Sequence, residues 1–157
     1  MTSPGERSLQ DRYAPKNICF GCGPANDRGL RIKSFVRGEE TVAVFRPESH
    51  HHAFPGMLSG GIIGTLLDCH SNWTAAYHLM KKAGADIPPC TVTSEFTVKL
   101  LRPTPADGEV SLRARAIEVG ERKAVIEAEL WAAGDLCATC RGVFVSVKEG
   151  HPAFNRW

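Results

Sequence analysis

Apolar residues recur with a helical period over one long segment in the middle of the chain. From Ser59 to about Gly84 the bulky side chains fall on one side of a helical wheel, opposite Asp68. Ser59 is a suitable N-cap, two lysines occupy the last turn, and Gly84 ends the pattern. The segment therefore predicts one helix whose apolar stripe suits packing on a sheet. The stripe consists of Ile62, Ile63, Leu66, Trp73, Tyr77 and Met80.

Segments rich in Val, Ile, Thr, Phe, Leu and Ala predict strands on both sides of this helix. Before it, Leu30 and Ile32 and then the segment 42–45 predict two strands around a turn at 37–40. After it, glycine-containing turns at 120–121 and 134–135 separate consecutive strands. One helix against one antiparallel sheet of about six strands is an α+β two-layer domain. The four later strands are predicted over 90–101, 108–119, 122–133 and 137–147.

The remaining segments predict a flexible start and two loops. Residues 1–16 are polar and contain Pro and Gly, which predicts a flexible N-terminal lead-in. Residues 17–29 are dense in turn-forming residues and predict an ordered loop, and residues 47–58 predict another. A chain of 157 residues suits one domain, so residues 17–157 are expected to form a single domain.

Composition argues against several classes of protein. The chain is 43% hydrophobic and 23% charged, which are ordinary globular values. Its 19 basic and 17 acidic residues give a net charge of +2, which argues against nucleic acid as the main partner. No apolar run approaches the roughly 18 residues that span a bilayer, so no membrane partner is expected. Six cysteines and no secretory signal predict a reducing compartment, here the cytoplasm.

Asp68 lies on the small, polar side of the predicted helix. Small neighbours indicate that another surface comes close to this carboxylate, whereas most Asp residues are simply solvated at a surface. At the start of the helix, Ser59-Gly60-Gly61 leaves backbone N–H groups open to an anionic or polarised ligand, because first-turn amides lack intrahelical partners. The neighbours of Asp68 on the wheel are Gly61, Gly64, Thr65, Asn72 and Ala75.

The separation of these two features predicts a shared site. Gly60 and Asp68 are about 12 Å apart along the helix axis, so one reacting carbonyl group cannot contact both in the same chain. In a two-fold dimer with antiparallel helices, Gly60 of one chain would face Asp68 of the other. Such a dimer would contain two equivalent sites.

Three short motifs occur in order along the chain, at Cys19–Leu30, Ser59–Asp68 and Thr93–Pro103. The second, Ser-Gly-Gly-Ile-Ile-Gly-Thr-Leu-Leu-Asp, is similar to the His-Gly-Gly-x6-Asp signature of the hotdog-fold acyl-CoA thioesterases of the PaaI-like group. The third resembles the strand after the family's helix, and the first resembles the N-terminal segment of a subset of the family. The resemblance covers about residues 17–147. It implies a hotdog fold, with one long central helix packed on a roughly six-stranded antiparallel sheet.

The resemblance also implies roles for individual residues. Gly60 matches the glycine whose N–H polarises the thioester carbonyl. Asp68 matches the carboxylate that acts as general base on water or as nucleophile through an anhydride. Thr93 matches a hydroxyl residue that positions the water or the carboxylate. Ser59 stands where the family usually has His, and it can cap the helix but supplies no imidazole.

Further positions are expected to bind the substrate. Ser59 and Gly61 flank the oxyanion glycine, and Asn72 lies on the same helix face as Asp68. His52 lies one residue out of register with an amide residue that orients the water in relatives. The implied substrate is an acyl-CoA, no cofactor is implied, and the implied assembly is a homodimer or a dimer of dimers.

Histidine and cysteine clusters offer an alternative, metal-based interpretation. Only Glu48 could help the run His50–His52 to complete a metal site. The pairs Cys19–Cys22 and Cys137–Cys140 look like half-sites for zinc, but positions 137 and 140 point to opposite faces of a predicted strand. We therefore expect no metal. Two alternatives to the enzyme stay open: a non-hydrolysing acyl-CoA or lipid-binding hotdog protein, indicated by Ser59, and a zinc-stabilised interaction module.

Overall fold

The computed structural model describes residues 2–157, and it confirms one long helix packed on a six-stranded antiparallel sheet. Met1, the first residue of the predicted lead-in, lies outside the described residues. No helix of residues 2–157 is both long enough and apolar enough to cross a membrane. The helices and strands are α1 (Leu9–Tyr13), β1 (Phe35–Arg37), β2 (Glu40–Phe45), β3 (His52–Phe54), β4 (Met57–Leu58), α2 (Gly60–Ala83), β5 (Thr91–Leu100), β6 (Val110–Val119), β7 (Lys123–Ala132) and β8 (Asp135–Ser146).

The sheet has the strand order β1-β2-β6-β7-β8-β5, so β1 and β5 form its edges. Every neighbouring pair is antiparallel. The turn between β7 and β8 uses Ala133 and Gly134, with φ angles of 50° and 81°. The four strands predicted after the helix are confirmed, and each begins and ends within two residues of its predicted limit.

Helix α2 begins and ends where the local signals predict. The Ser59 side chain accepts a hydrogen bond from the Gly61 N–H, and Gly84 ends the helix in the left-handed conformation with φ 63°. More of the helix surface is buried than the predicted apolar stripe. Asn72, for example, lies on the small, polar face opposite the stripe and is only 4% exposed. Trp73 stacks on Trp157 with ring centroids 4.5 Å apart, so chain segments outside the sheet also cover the helix.

The N-terminal segment contains an element that the sequence pattern does not predict. Residues 9–13 form α1, and Gln10 is fully buried. The Gln10 side chain accepts a hydrogen bond from the Ser34 N–H (2.8 Å) and donates one to Ser34 Oγ (2.9 Å). Ser34 Oγ also lies 2.8 Å from Nδ1 of the buried His70, whose pKa is lowered to about 4 by burial. This polar network joins the lead-in to α2.

One strand prediction and one loop prediction need correction. Leu30 and Ile32 are buried, but they precede β1 and belong to no strand. Their N–H groups donate to the carbonyl oxygens of Phe20 and Gly21, so the segment pairs with the N-terminal loop. The predicted loop 47–58 contains a 3-10 turn at Ser49–His51 and the β3–β4 hairpin, which lead the chain into α2.

Candidate active site

Asp68 and Thr93 meet between α2 and the edge strand β5. Thr93 Oγ1 donates a hydrogen bond of 2.6 Å to Asp68 Oδ1, and both residues are half-buried. Burial raises the pKa of Asp68, although the hydrogen bond from Thr93 and the nearby Arg156 guanidinium act in the opposite direction. The structure therefore brings together two of the three predicted catalytic residues and leaves Asp68 Oδ2 without a hydrogen bond from residues 2–157.

A β-bulge in β5 aims Thr93 at the helix. Thr93 pairs with Phe144 of β8 and Glu95 pairs with Val143, so Ser94 is an extra residue in β5. Strand partners share a face of the sheet, and Phe144 is fully buried beneath α2. Before the bulge, Thr93 is therefore on the helix face. After it, Phe96 is on that face, opposite Gly142.

The third predicted catalytic residue, Gly60, is the exposed first residue of α2. Within residues 2–157 its N–H has no hydrogen-bond acceptor, so it is free to donate to a ligand. A Cβ added at Gly60 would lie 3.5 Å from Leu100 Cδ1, which is ordinary contact. The neighbouring Gly61 N–H already donates to Ser59 Oγ (3.2 Å), so Gly61 can contribute its open surface but not this donor.

The other predicted binding residues lie at both ends of the same helix segment. His52 begins β3 and is half-buried, and its neighbour His51 accepts the Ser59 N–H at its carbonyl oxygen (2.9 Å). Asn72 lies one turn beyond Asp68, and its buried Oδ1 has no hydrogen-bond partner among residues 2–157. Because Gly60 and Asp68 both belong to α2, about 12 Å of helix separates the amide from the carboxylate, as predicted.

Exposed apolar side chains surround the two ends of this site. Phe96 and Leu100 on β5 are 42% and 58% exposed, and Leu101 directly after it is 51% exposed. Strand β5 is a sheet edge that pairs with β8 alone within residues 2–157. Leu100 is also the neighbour of Gly60. The strand beside the site thus presents both an apolar surface and free backbone groups.

A groove of about 710 Å³ lies elsewhere, on the outer face of the sheet. Several of its charged side chains form ion pairs: Arg113 Nη2 lies 2.8 Å from Glu40 Oε2, and Arg141 Nη1 lies 3.2 Å from Glu127 Oε1. None of the predicted site residues lines this groove. The carboxylate and the oxyanion donor therefore belong to an open surface of α2 and β5 rather than to this cavity.

The sequence pattern did not identify two neighbours of Asp68. Arg156 acts on its charge from the C-terminal segment, far away along the chain. Burial, together with the nearby charge of Asp68, raises the pKa of the Cys140 thiol to about 11. A third group, the thiols of Cys19, Cys22 and Cys69, has Sγ atoms within 4.8 Å of one another and is chemically suited to a metal ion. Neither Cys137 nor Cys140 joins it.

Thr93→Val is expected to lower kcat for the substrate by roughly 10-fold, because it removes one hydrogen bond to a charged group without changing side-chain shape. KM should change little, since the hydroxyl contacts the carboxylate. Thr97→Val, on the exposed part of β5, is the matched control and should retain the full rate. Steady-state kinetics of both variants check this, and equal rates for the two would show that the hydrogen bond does not serve catalysis.

Comparisons with known proteins agree with the geometry. The family model of the Thioesterase superfamily matches residues 55–139, from just before α2 into β8. A thioesterase superfamily protein from Shewanella loihica PV-4 is 35% identical and has a TM-score of 0.66, with 80% of this chain and 98% of that chain covered. No curated protein sequence matches significantly.

Two more distant structures share the fold. The PaaI protein from the phenylacetic acid degradation operon of E. coli is 17% identical, with a TM-score of 0.64 and coverage of 76% of this chain and 81% of that chain. A thioesterase from Haemophilus influenzae is 19% identical, with the same TM-score and coverage of 78% and 84%. The hotdog fold implied by the sequence motifs is thereby confirmed.

Proposed function

Because the chain belongs to the thioesterase superfamily, we propose that it hydrolyses the thioester of an acyl-CoA to a free acid and coenzyme A. The observation that carries this proposal is the 2.6 Å hydrogen bond that orients Asp68 through Thr93. It places a carboxylate of raised pKa at a half-buried position on a thioesterase scaffold, beside a surface that is open to a ligand. Proton transfer or nucleophilic attack by a carboxylate is the chemistry that thioester hydrolysis needs.

Two routes are open to Asp68. As a general base, Oδ2 takes a proton from water while the water oxygen attacks the thioester carbonyl carbon. The tetrahedral oxyanion then collapses, the C–S bond breaks, and the coenzyme A thiolate takes the proton back from Asp68. As a nucleophile, Oδ2 attacks the carbonyl carbon itself and expels the thiolate, and water then cleaves the resulting anhydride. Either oxyanion would accept a hydrogen bond from the Gly60 N–H.

The site is completed by a second copy of the chain in this proposal. Gly60 and Asp68 of one chain are too far apart to serve the same carbonyl group. Antiparallel α2 helices in a two-fold dimer bring each Gly60 to the other chain's Asp68. The exposed Phe96, Leu100 and Leu101 beside the site supply apolar surface that such a dimer would bury. A homodimer or a dimer of dimers meets this requirement.

The remaining predicted residues bind the substrate. The buried Asn72 Oδ1, which lacks a partner within residues 2–157, is suited to accept a hydrogen bond from the attacking water or from the substrate. His52, Ser59 and Gly61 line the entrance to the oxyanion end of α2. All six cysteines are free thiols in the structure, and their cytoplasmic location stays a prediction.

Thiol release from a panel of acyl-CoAs tests the proposed reaction. The panel should contain short, long and aromatic acyl groups, with coenzyme A detected by a thiol-reactive dye. We expect turnover of at least one member at a protein concentration where the buffer reaction is negligible. If the folded protein binds acyl-CoA but releases no thiol from any member, the second candidate, a non-hydrolysing acyl-CoA-binding protein, is supported. Ser59, in the place of the family's His, is the observation that favours it.

Ser59→His separates these two functions. In a thioesterase that works with serine, the rate should change by only a few-fold, because Gly60 and Asp68 still supply the main chemistry. Ser59→Ala is the matched control, since both changes remove the Oγ that caps the Gly61 N–H, at a cost of about 1 kcal/mol. Kinetics on the same panel provide the measurement. An inactive wild type with hydrolysis appearing only in Ser59→His would favour the binding protein.

A further inference from the structure

Three cysteines from two distant parts of the chain meet beside the proposed active site. Cys19 and Cys22 belong to the predicted loop 17–29, and Cys69 follows Asp68 in α2. Their Sγ atoms all lie within 4.8 Å of one another, and the Cys19 and Cys69 sulfurs are 3.8 Å apart. Within residues 2–157, no other group of three His, Cys, Asp or Glu side chains brings its ligand atoms this close.

The sulfur spacing matches that of a zinc site. Zinc binds thiolates in tetrahedral geometry at about 2.3 Å, which places neighbouring sulfurs about 3.8 Å apart. The separation of the Cys19 and Cys69 sulfurs equals this edge length, and the cluster as a whole needs to contract by at most about 1 Å. Most of the geometry for one metal ion is therefore already present.

The backbone of the loop is shaped around these thiols. A Cβ at Gly21 would lie 2.3 Å from Cys69 Sγ, so only glycine allows the loop to approach α2 this closely. The Gly23 N–H donates to the Cys19 carbonyl oxygen at 2.8 Å and closes a tight turn over the Cys19–Cys22 segment.

Buried N–H donors also surround Cys22. Asn17 Nδ2 lies 4.0 Å from Cys22 Sγ, and Asn17 Oδ1 accepts the Cys19 N–H at 3.1 Å. The indole N–H of the fully buried Trp73 lacks a hydrogen-bond partner of good geometry within residues 2–157, and it faces Cys22. A thiolate at Cys22 would provide the acceptor that this donor lacks. Such outer donors are typical of protein metal sites, where they orient and stabilise the ligands.

We propose that Cys19, Cys22 and Cys69 bind one Zn²⁺ ion. Thiolate ligands favour zinc over hard cations such as Mg²⁺ and Ca²⁺, and each thiol gives up its proton to the solvent when it binds the metal. The ion joins the 17–23 loop to α2 and leaves its fourth coordination position for water. The site thus fixes the loop against the turn of α2 that carries Asp68. It is independent of the proposed hydrolysis, since Zn²⁺ is not assigned to the reacting atoms.

Zinc titration of the reduced, metal-free chain tests the proposal. The protein should be produced without a polyhistidine tag, and Zn²⁺ should be added in competition with a chromogenic chelator. We expect one tightly bound zinc per chain, and Co²⁺ in its place should give the near-ultraviolet absorption of thiolate-to-metal charge transfer. Zinc should also raise the melting temperature of the protein.

Cysteine variants decide whether the thiols are the ligands. Cys22→Ser should weaken zinc binding by ~100-fold or more, whereas Cys137→Ser, equally buried, should bind zinc like the wild type. Cys19→Ser, at a half-buried position, provides the second test if Cys22→Ser does not fold. Equal zinc affinity in all variants, or an absence of zinc binding by the reduced wild type, overturns the proposal. So does loss of the metal on His50→Gln with retention in the cysteine variants.

Discussion

Asp68→Asn is expected to lower kcat by about 100- to 10,000-fold, which is the usual contribution of a general base. Asparagine preserves the shape of the side chain, and its Oδ1 can still accept the Thr93 hydrogen bond that orients the carboxylate at 2.6 Å. The amide cannot take a proton from water, nor can it form the anhydride of the nucleophilic route. KM should remain within a few-fold of wild type because no substrate contact is removed.

Single-turnover and steady-state kinetics on the best acyl-CoA measure this loss. Asp107→Asn makes the same chemical change at an exposed position and should leave the rate unaltered. Circular dichroism of both variants shows whether the fold is intact. A folded Asp68→Asn protein that retains near wild-type turnover would remove Asp68 from the mechanism, whatever the family membership of the chain.

Mixing two inactive variants is expected to restore activity. Gly60→Val should block the approach of the acyl group to the oxyanion amide, and Asp68→Asn should remove the carboxylate, so each homodimer is inactive. After subunit exchange, half of the dimers are mixed, and one of the two sites in each mixed dimer contains both intact halves. Specific activity should therefore return to about a quarter of the wild-type value in a two-fold assembly.

A second mixture provides the matched control. Asp68 and Thr93 act on the same half of the site, so Asp68→Asn combined with Thr93→Val creates no fully intact site in any dimer. Its activity should stay at the average of the two separate variants. If the Gly60→Val and Asp68→Asn mixture also shows only the average, while exchanged wild-type chains remain active, the amide and the carboxylate do not come from different subunits.

Local signals explain why the scaffold of the site could be predicted. Ser59 and Gly84 carry the conformational preferences that begin and end a helix, so the bounds of α2 follow from a few neighbouring residues. The strands after it have turn residues between apolar runs. The pairing of Asp68 with Thr93 was implied by the family resemblance, since nothing in a strand pattern indicates which hydroxyl group reaches a helix.

Contacts between distant segments were not predictable in the same way. The Cys19–Cys22 spacing indicates half of a metal site, but its partner in the structure is Cys69 and not the second cysteine pair. A lone cysteine in a helix carries no signal of its own. Gln10 likewise reads as an ordinary polar residue of a lead-in, and only its tertiary contacts with Ser34 explain why it is buried.

The bulge in β5 has a consequence for how the length of this chain can vary in evolution. Ser94 is an extra residue with no partner in β8. The residues of β5 that face the helix therefore change from the odd-numbered Thr93 to the even-numbered Phe96 and Val98. Deleting Ser94 would remove the extra residue and leave Thr93, Phe96 and Val98 on the helix face, whereas deleting Thr97 would turn Val98 to the outer face. Within β5, a one-residue deletion is therefore easiest to accommodate at the bulge, and we expect the other insertions and deletions among relatives to fall in the loops.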